Sequence, residues 1–363
     1  MSQRACILIA AGGTGGHVFP GLALADALAK QADVDILFVG TPRGLESKLV
    51  RAAGHAIELF DVTAIKGGGA SQAARGGWSA ALAIGRALHF VRARAPRVVV
   101  SVGGYAAGPV ALAAAMLGVP VAIIEPNSVM GLSNRLLAPL ARRIYLAFEE
   151  ARPRLAGTKV RLSGVPLRAG FVPQSSIRSP KRRVLVLGGS QGAQALNERL
   201  PEALGRVATE DGSPGLEVTH QTGDGRENAV REAYARAGLP EAHVVPFSTE
   251  LPRDLAWADL VVARAGAGTI AEIAAVGRAS LLVPFPHATD DHQAKNAAAY
   301  SNTGSAIWVR QEAADGMRLS LEVGRLLADD ERRLRLARCA RSQGRPDAAR
   351  TIARDLLDVA EVS

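Results

Sequence analysis

The sequence predicts an α/β fold with two doubly wound parallel sheets in tandem. Short apolar runs alternate with amphipathic stretches along all 363 residues, which indicates parallel strands covered by helices on both faces. The pattern restarts at residues 184–200, where VLVLGGSQGAQALNERL repeats the strand, glycine-rich segment and helix of the N-terminus. We therefore expect a first domain at 1–165 and a second at 166–340.

Strands are predicted at the apolar runs of each half. They are expected at 5–10, 35–39, 98–102 and 121–124, and then at 183–187, 217–221, 243–246, 260–263 and 280–283. The loop-like stretch 156–182 is the predicted linker. Residues 98–124 carry no charge and could cross a bilayer, but the glycines and prolines within them favour strand, turn, helix and strand.

The cysteine content and the charge distribution indicate the compartment and the kinds of partner of the protein. Cys6 and Cys339 cannot build a disulfide framework, and the N-terminus lacks the features of a signal peptide, so we expect a reducing cytoplasm. The net charge of +9 lies entirely in residues 1–165, which hold 18 Lys and Arg against nine Asp and Glu. Such a face could meet nucleic acid, anionic lipid or an acidic substrate, or it could be an ordinary basic domain.

Four glycine-rich segments follow predicted strands. They are GGTGG at 12–16, GGYAAG at 103–108, GGSQG at 188–192 and RAGAG at 264–268. Glycine lets backbone amides approach an anion, and a following helix N-terminus favours negative charge. One such segment could be only a tight turn, but two in each half indicate two phosphate-bearing ligands. Ligands of such sheets bind at the carboxyl ends of the strands, so we expect the site in a cleft between the domains.

Two common nucleotide-binding classes do not fit these segments. A dinucleotide dehydrogenase needs G-x-G-x-x-G and an acidic residue at the end of the second strand, where this chain has FVGTPRG. A P-loop nucleotidase needs G-x-x-x-x-G-K-[ST], and the sequence lacks it.

The motifs along the chain resemble those of one family. In order, they are AGGTGGHVFPGLALA, SVGGYAAGP, EPNSVMGLSNRLLA, VLVLGGSQGA, WADLVVARAGAGTIAEIAAVGRASLLVPFP and DDHQAKNA. As a set covering nearly the whole chain, they resemble the bacterial MurG glycosyltransferases. The resemblance implies a GT-B fold, in which two Rossmann-like domains face each other across a cleft and a C-terminal helix, at about 341–363, packs back on the first.

The resemblance also implies an activity. The expected reaction transfers GlcNAc from UDP-GlcNAc to the C4 hydroxyl of lipid I (undecaprenyl-pyrophosphoryl-MurNAc-pentapeptide), with inversion. The product would be lipid II for peptidoglycan synthesis, made at the cytoplasmic face of the inner membrane. The alternatives are another GT-B enzyme, such as a glycolipid synthase or a UDP-GlcNAc epimerase, and a non-catalytic UDP-sugar sensor.

The resemblance assigns donor-binding roles residue by residue. Ser190 would contact the diphosphate, Glu272 both ribose hydroxyls, and the pair Gln293 and Asn296 the sugar hydroxyls. Outside this family, Glu272 could be a helix-dipole partner and the pair a solvated helix face. The full expected donor set is Thr14, Gly15, Gly16, Asn127, Arg168, Ser190, Ser248, Ala267, Gly268, Thr269, Glu272, Gln293 and Asn296.

This sequence departs from the family pattern at two of these motifs. Pro126 stands where the family often has a glutamine before Asn127. Ser248 stands near the expected uracil position, which often carries an aliphatic residue. A backbone contact to the base would tolerate Ser248, whereas side-chain packing on the base would not.

The acceptor side is expected in the first domain, with His17 as the catalytic base. A histidine in the first turn of a helix feels the positive end of the dipole, which lowers its pKa and favours the neutral form that accepts a proton. His17 could instead only bind the acceptor or pack the loop. The expected acceptor-binding set is Gly13, His17, Gly104, Tyr105 and Glu125. Tyr105 and Glu125 are secondary candidates for the base, and they could instead only pack or hydrogen-bond within the loops.

We expect no tightly bound metal or other cofactor. The D-x-D motif at 33–35 falls at the amino end of a predicted strand, where a solvated turn is the simpler interpretation, and DDH at 290–292 is a weaker candidate. Helix N-termini, Ser190 and backbone amides would then stabilise the leaving UDP.

The basic segment 74–97 predicts a helix that lies on an anionic membrane, although a sheet-covering helix with a basic outer face fits equally well. The expected membrane-facing residues are Arg75, Trp78, Leu82 and Arg86. The expected partners are UDP-GlcNAc, lipid I, the anionic surface of the inner membrane and other cell-wall synthesis proteins, without nucleic acid.

Overall fold

The computed structural model describes most of the chain as two compact units. The described residues are 4–12, 15–42, 44, 46–60, 70–104, 107–152, 157–174, 182–189, 192–210 and 215–361, with the side chains of 70–81 and 210 excepted. Unit 1 comprises Met1–Ala169 and Asp347–Ser363, and unit 2 comprises Gly170–Pro346.

Unit 1 contains a parallel sheet of seven strands among its described residues, in the order β3-β2-β1-β4-β5-β6-β7. The strands are β1 (Ala5–Ala11), β2 (Val34–Gly40), β3 (Ala56–Leu59), β4 (Val98–Gly103), β5 (Val121–Glu125), β6 (Arg143–Leu146) and β7 (Val160–Leu162). The helices are α1 (Gly15–Ala29), α2 (Glu46–Ala52), α3 (Ala70–Arg94), α4 (Ala107–Met116), α5 (Leu132–Leu137) and the last helix of the chain, α13 (Ala348–Val359).

Unit 2 repeats the plan with a six-stranded parallel sheet among its described residues, in the order β10-β9-β8-β11-β12-β13. The strands are β8 (Arg182–Leu187), β9 (Leu216–Gln221), β10 (His243–Val245), β11 (Leu260–Ala263), β12 (Ala279–Leu282) and β13 (Ile307–Trp308). The helices are α6 (Gln194–Glu210), α7 (Glu227–Arg236), α8 (Leu251–Trp257), α9 (Ala267–Val276), α10 (His292–Asn302), α11 (Gly316–Ala328) and α12 (Asp330–Gln343).

The predicted fold class is confirmed, because each unit has the strand order of a doubly wound sheet. All nine predicted strands are present, with ends that shift by at most one residue. The prediction missed β3, β6, β7 and β13, which have two to four residues each and are too short to give a distinct apolar run. The predicted linker 156–182 contains β7, and the boundary between the units lies within it at Ala169 and Gly170.

Alternating side chains of the central strands fill both faces of the unit 1 sheet. Leu8 and Ala10 pack into one core, whereas Ile7 and Ile9 pack into the core on the opposite face. Residues on both faces are therefore apolar, as expected for a parallel strand covered by helices. The glycine-rich segments of unit 1 follow the carboxyl ends of β1 and β4.

Helix α13 completes the second of these cores. Ile352 and Leu356 are buried with β1, and Asp355 accepts hydrogen bonds from Tyr145 Oη at 2.6 Å and Arg143 Nε at 3.0 Å. The expected C-terminal helix at about 341–363 is two elements here, because α12 runs to Gln343 in unit 2 and α13 begins at Ala348.

The uncharged stretch 98–124 forms β4, α4 and the start of β5, as its glycines and prolines predict. Among the described residues, none of the helices combines the length and the apolar character needed to cross a membrane.

Candidate functional site

Each sheet has a topological switch point, where neighbouring strands continue in opposite directions along the sheet. In unit 1 this point lies between β1 and β4, and in unit 2 between β8 and β11. The four glycine-rich segments follow these four strands. Ligands of doubly wound sheets bind at the carboxyl ends of the strands beside such a point. Each unit therefore has one candidate binding edge.

In unit 1 the two glycine-rich segments touch. The Gly12 amide donates to the Gly103 carbonyl at 3.3 Å. Gly104 has a φ of +91°, and a Cβ on it would lie 2.2 Å from the carbonyl oxygen of Gly12. Only glycine can combine this backbone conformation with this approach. The contact brings the expected acceptor-side residue Gly104 next to the segment that precedes His17.

His17 lies in the first turn of α1, partly buried, against both segments. Its Nδ1 is 3.1 Å from the Gly12 carbonyl oxygen, and a Cβ on Gly103 would lie 3.0 Å from its Nε2. Because a carbonyl only accepts hydrogen bonds, Nδ1 carries a proton in this arrangement. In the neutral imidazole the lone pair is then on Nε2. The geometry gives His17 the tautomer that can accept a proton at Nε2.

Glu125 is the last residue of β5 and is one of the expected acceptor-binding residues. Its carboxylate is instead hydrogen-bonded within the chain. Its side chain is 2% exposed; Oε1 accepts from Asn127 N (3.1 Å) and Nδ2 (3.2 Å), and Oε2 from Gly131 N and Asn134 Nδ2, both at 3.0 Å. Burial raises the pKa of Glu125 against the opposing effect of these donors. All four lone-pair positions are used within the chain. Glu125 therefore holds the loop that carries Asn127 rather than offering an open acceptor to a ligand.

In unit 2 the glycine-rich segment after β8 packs on the end of β9. Gly192 has a φ of +71°, and a Cβ on it would lie 2.0 Å from the carbonyl oxygen of Thr222. The same position would be 2.7 Å from Nη1 of Arg226, at the N-terminus of α7. A guanidinium thus lies against a segment expected to bind phosphate, and sequence reasoning missed it because Arg226 is outside the recognised motifs.

The second segment of unit 2, RAGAG, is held by its own arginine. Arg264 is buried and donates from Nη1 to the carbonyls of Val283 (3.0 Å) and Pro284 (3.1 Å), and from Nη2 to Gln311 Oε1 (2.6 Å). Burial, with a smaller effect of the Arg199 charge, lowers the pKa of Arg264 to about 10. This arginine fixes the carboxyl end of β11 to that of β12.

Helix α9 begins directly after this segment and carries four of the expected donor residues. Gly266 is its N-cap without a side-chain cap, and a Cβ on Gly268 would meet open space. The first turn contains Ala267, Gly268 and Thr269, and Glu272 is partly buried in the second turn. One helix thus carries both an N-terminus without a side-chain cap and a carboxylate in its second turn.

Gln293 and Asn296, the expected sugar-binding pair on α10, lie in different environments. Gln293 is partly buried, and its Oε1 accepts from the Phe285 amide at 3.0 Å. Asn296 is fully buried, and its Nδ2 donates to the Ala265 carbonyl at 3.3 Å. Asn296 therefore helps to fix the RAGAG segment, whereas Gln293 lies nearer the surface.

Ser248 directs both of its donors into the protein. Its backbone amide donates to Gln221 Oε1 at 3.1 Å, and its hydroxyl donates to Asp254 Oδ2. Ser248 is 5% exposed. The Ser248 hydroxyl and amide are therefore both used in hydrogen bonds within unit 2.

His220, on β9 of unit 2, is a buried histidine that the sequence prediction missed. His220 Nε2 is 3.1 Å from Asn197 Oδ1, and His220 Nδ1 is 2.9 Å from the Tyr234 hydroxyl. The amide oxygen only accepts, so Nε2–H donates to Asn197 and Nδ1 accepts from Tyr234. Burial lowers the pKa of His220 to about 3. Its position in the predicted strand 217–221 gave no signal of this network, because its partners Asn197 and Tyr234 lie on other elements.

The other expected residues are placed as follows. Arg168 is exposed at the end of unit 1, and Arg86 and Leu82 are exposed on α3, with Leu82 at 51%. Gly15 and Gly16 begin α1. Gly13, Thr14, Tyr105 and Ser190 lie outside the described residues, as do the side chains of Arg75 and Trp78. Within the described ranges, His, Cys, Asp and Glu form no cluster of three or more that could hold a metal ion.

Comparisons with known proteins give the family. Glycosyltransferase family 28 N-terminal domain matches residues 7–146, and its C-terminal domain matches 183–352. A relative from Sorangium cellulosum is 48% identical over 98% of this chain and 88% of its own, and one from Acidithiobacillus ferrooxidans is 44% identical over 98% of both. Both are named UDP-N-acetylglucosamine--N-acetylmuramyl-(pentapeptide) pyrophosphoryl-undecaprenol N-acetylglucosamine transferase.

A solved structure agrees with these relatives. The crystal structure of Acinetobacter baumannii MurG has a TM-score of 0.83 to this chain, at 32% identity over 98% of this chain and 99% of that one. Two Rossmann-like units together with this structural match define the GT-B fold, and the relatives named as transferases define a hexosyltransferase. Within that class, the chain belongs to glycosyltransferase family 28.

The buried neutral state of His220 predicts a pH dependence of stability. Below pH 6.5 His220 binds a proton in the unfolded chain, whereas in the folded chain it stays neutral down to about pH 3. The unfolding free energy therefore decreases as the pH is lowered from 6.5 towards 3. The slope from this residue is at most about 1.4 kcal/mol per pH unit. Urea unfolding between pH 6.5 and 4.5 should be less steeply pH-dependent in His220→Gln than in the parent.

The matched control is His243→Gln, because His243 is exposed on β10. This variant should keep the parent slope. An unchanged slope in His220→Gln would contradict the assignment of His220 as a neutral residue in the folded state.

Proposed function

We propose that this chain transfers GlcNAc from UDP-GlcNAc to the C4 hydroxyl of the muramyl sugar of lipid I and so forms lipid II in peptidoglycan synthesis. The observation that carries this function is the similarity over 98% of the chain to relatives named for that transfer. The placement of His17 between two glycine-rich segments supports it independently, because transfer to a hydroxyl needs a group that accepts its proton.

We propose that unit 2 binds the donor. The glycine-rich segment after β8, with Ser190 in it, would bind the diphosphate together with the N-terminus of α9. Glu272 has two carboxylate oxygens, which suit the two ribose hydroxyls, and Gln293 would contact the GlcNAc hydroxyls. Ser248 would hold the base-binding loop in place, because its amide and hydroxyl donate to Gln221 and Asp254.

The acceptor is assigned to unit 1. The segments at 12–16 and 103–108 would bind the pyrophosphate of lipid I and place its sugar beside His17, with Tyr105 nearby. The C4 oxygen attacks C1 of GlcNAc while its proton passes to Nε2 of His17. The bond from C1 to the UDP oxygen breaks as the new bond forms, which inverts the configuration at C1.

The leaving UDP carries the developing negative charge of the reaction. We propose that backbone amides, the N-terminus of α9 and the Arg226 guanidinium stabilise it, without a tightly bound metal or other cofactor. Arg226 supports this assignment because its Nη1 lies against the glycine-rich segment of unit 2.

The transfer is tested by incubating the purified protein with UDP-GlcNAc and a lipid I analogue. We expect UDP release only when both substrates are present, and a product whose new glycosidic bond has the configuration opposite to that of the donor, read by NMR. Turnover of UDP-GlcNAc without acceptor would contradict the proposal and indicate an epimerase. Binding of UDP-GlcNAc without any turnover would indicate a sensor.

His17→Ala should lower kcat for transfer by about 10²–10⁴-fold, the usual contribution of a general base. UDP affinity should change little, because the proposed diphosphate and ribose contacts lie in unit 2. Initial rates and calorimetry measure the two quantities. His243→Ala, an exposed histidine in unit 2, is the control and should keep the parent rate. Near-normal turnover in folded His17→Ala would remove His17 as the base.

We further propose that α3 attaches unit 1 to the cytoplasmic face of the inner membrane. Its inner face packs into the core through Ala87 and Val91, whereas Leu82 and Arg86 are exposed. An exposed leucine among arginines suits an anionic lipid surface. Arg75 and Trp78 would extend this surface. Contacts with other cell-wall synthesis proteins belong to the same proposal, and nucleic acid is not an expected partner.

Charge reversal of Arg75, Arg86 and Arg92 to Glu should weaken binding to vesicles rich in phosphatidylglycerol by at least tenfold in sedimentation. Each basic residue near such a surface contributes about 1 kcal/mol. Arg335→Glu with Arg338→Glu, two exposed positions on α12, controls for a general change of charge and should have little effect. Unchanged vesicle binding in the folded triple variant would contradict the assignment of α3.

A further inference from the structure

Gln221 connects two segments of unit 2 that the proposed function assigns to opposite ends of the nucleotide. It is the last residue of β9 and is 4% exposed. Its Nε2 donates to the Gly189 carbonyl at 2.9 Å, in the glycine-rich segment after β8. Its Oε1 accepts from the Ser248 amide at 3.1 Å, in the loop after β10. One side-chain amide therefore contacts both the phosphate-side segment and the base-side loop.

The main chain of Gln221 supports the same segment. The Gly188 amide donates to the Gln221 carbonyl at 3.3 Å, and the Gly192 amide donates to the Gly189 carbonyl at 3.1 Å. The Gly189 oxygen thus accepts from Gln221 and from Gly192, which uses both of its lone pairs. The position of the glycine-rich segment is set by hydrogen bonds that converge on Gln221.

A buried chain of polar side chains fixes the residues on either side of Gln221. Tyr234 donates to His220, and His220 donates to Asn197, at 2.9 and 3.1 Å. Asn197 in turn donates from Nδ2 to the Thr222 carbonyl at 3.0 Å. Residue 220 is therefore held by α6 and α7 and residue 222 by α6, and Gln221 lies between these two anchored positions.

We propose that Gln221 is a positioning residue that sets the spacing between the phosphate-binding segment and the base-binding loop, so that a nucleoside diphosphate occupies both at once. This inference rests on the proposed donor site. It assigns Gln221 an indirect role, because both polar atoms of its side chain bind the protein. A ligand that spans both segments depends on their spacing, whereas a ligand that fills only one does not.

The test compares two probes, UDP and uridine, by calorimetry on the full chain. Gln221→Met keeps the length of the side chain and removes both hydrogen bonds. We expect the affinity for UDP to fall about tenfold and the affinity for uridine to change less than about twofold. The readout is the ratio of the two dissociation constants. A purely structural defect lowers the folded fraction for both probes and leaves this ratio unchanged.

Gln343→Met, an exposed glutamine on α12, is the control for the substitution itself and should keep the parent ratio. An unchanged ratio in folded Gln221→Met would overturn the positioning role while leaving the proposed function intact. Absence of UDP binding in the parent protein would overturn the proposed donor, and this inference with it.

A second pair of variants tests the hydrogen-bonded chain of Tyr234, His220 and Asn197 that holds the residues next to Gln221. It replaces the first test if Gln221→Met does not fold. Tyr234→Phe removes only the hydroxyl that donates to His220, and we expect UDP affinity to fall about threefold with uridine unchanged. Tyr300→Phe is the matched control in the same unit, because Tyr300 is also buried and does not belong to the hydrogen-bonded chain of Tyr234, His220 and Asn197. Equal behaviour of the two variants would overturn the inference.

Discussion

The close approach of backbone to backbone at the carboxyl ends of the strands is the constraint on which both candidate edges depend. In unit 1, Gly104 lies against the Gly12 carbonyl, and in unit 2, Gly192 lies against the Thr222 carbonyl. Any side chain at either glycine would separate the paired segments. These contacts leave amides and helix N-termini at the edge of each sheet, which is the chemistry that a phosphate-bearing ligand needs.

The constraint also explains why polar residues are buried next to the glycines. A segment without side chains cannot anchor itself by packing, so neighbouring residues hold it through hydrogen bonds. Glu125 and Asn134 do this for the loop after β5, and Asn197 does it through Thr222 for the segment after β8. Arg264 fixes the end of β11 in the same way, with carbonyl oxygens rather than carboxylates as partners.

The periodicity of the sequence was sufficient for the fold class and the central strands, because a buried parallel strand such as β4 is a continuous apolar run. It was insufficient for β3, β6, β7 and β13, which have two to four residues each and whose pairing depends on neighbouring strands. The motifs located the glycine-rich segments and His17. They did not separate residues that face a ligand from residues that hold the site, so Glu125 was expected to contact the acceptor. That distinction depends on burial and hydrogen-bond partners.

Each unit has a histidine close to its glycine-rich segments, but the two histidines have different surroundings. This difference fits the proposed roles of the two units. In unit 1 the segment after β1 is followed by His17, whose Nδ1–H donates to the Gly12 carbonyl. In unit 2 the histidine is His220, which burial keeps neutral and which uses both nitrogens inside the protein. We propose that His17 accepts the proton of the acceptor, whereas His220 holds the backbone next to the glycine-rich segment through Asn197 and Tyr234. Binding a leaving group requires only the second of these properties, whereas activating an acceptor requires the first.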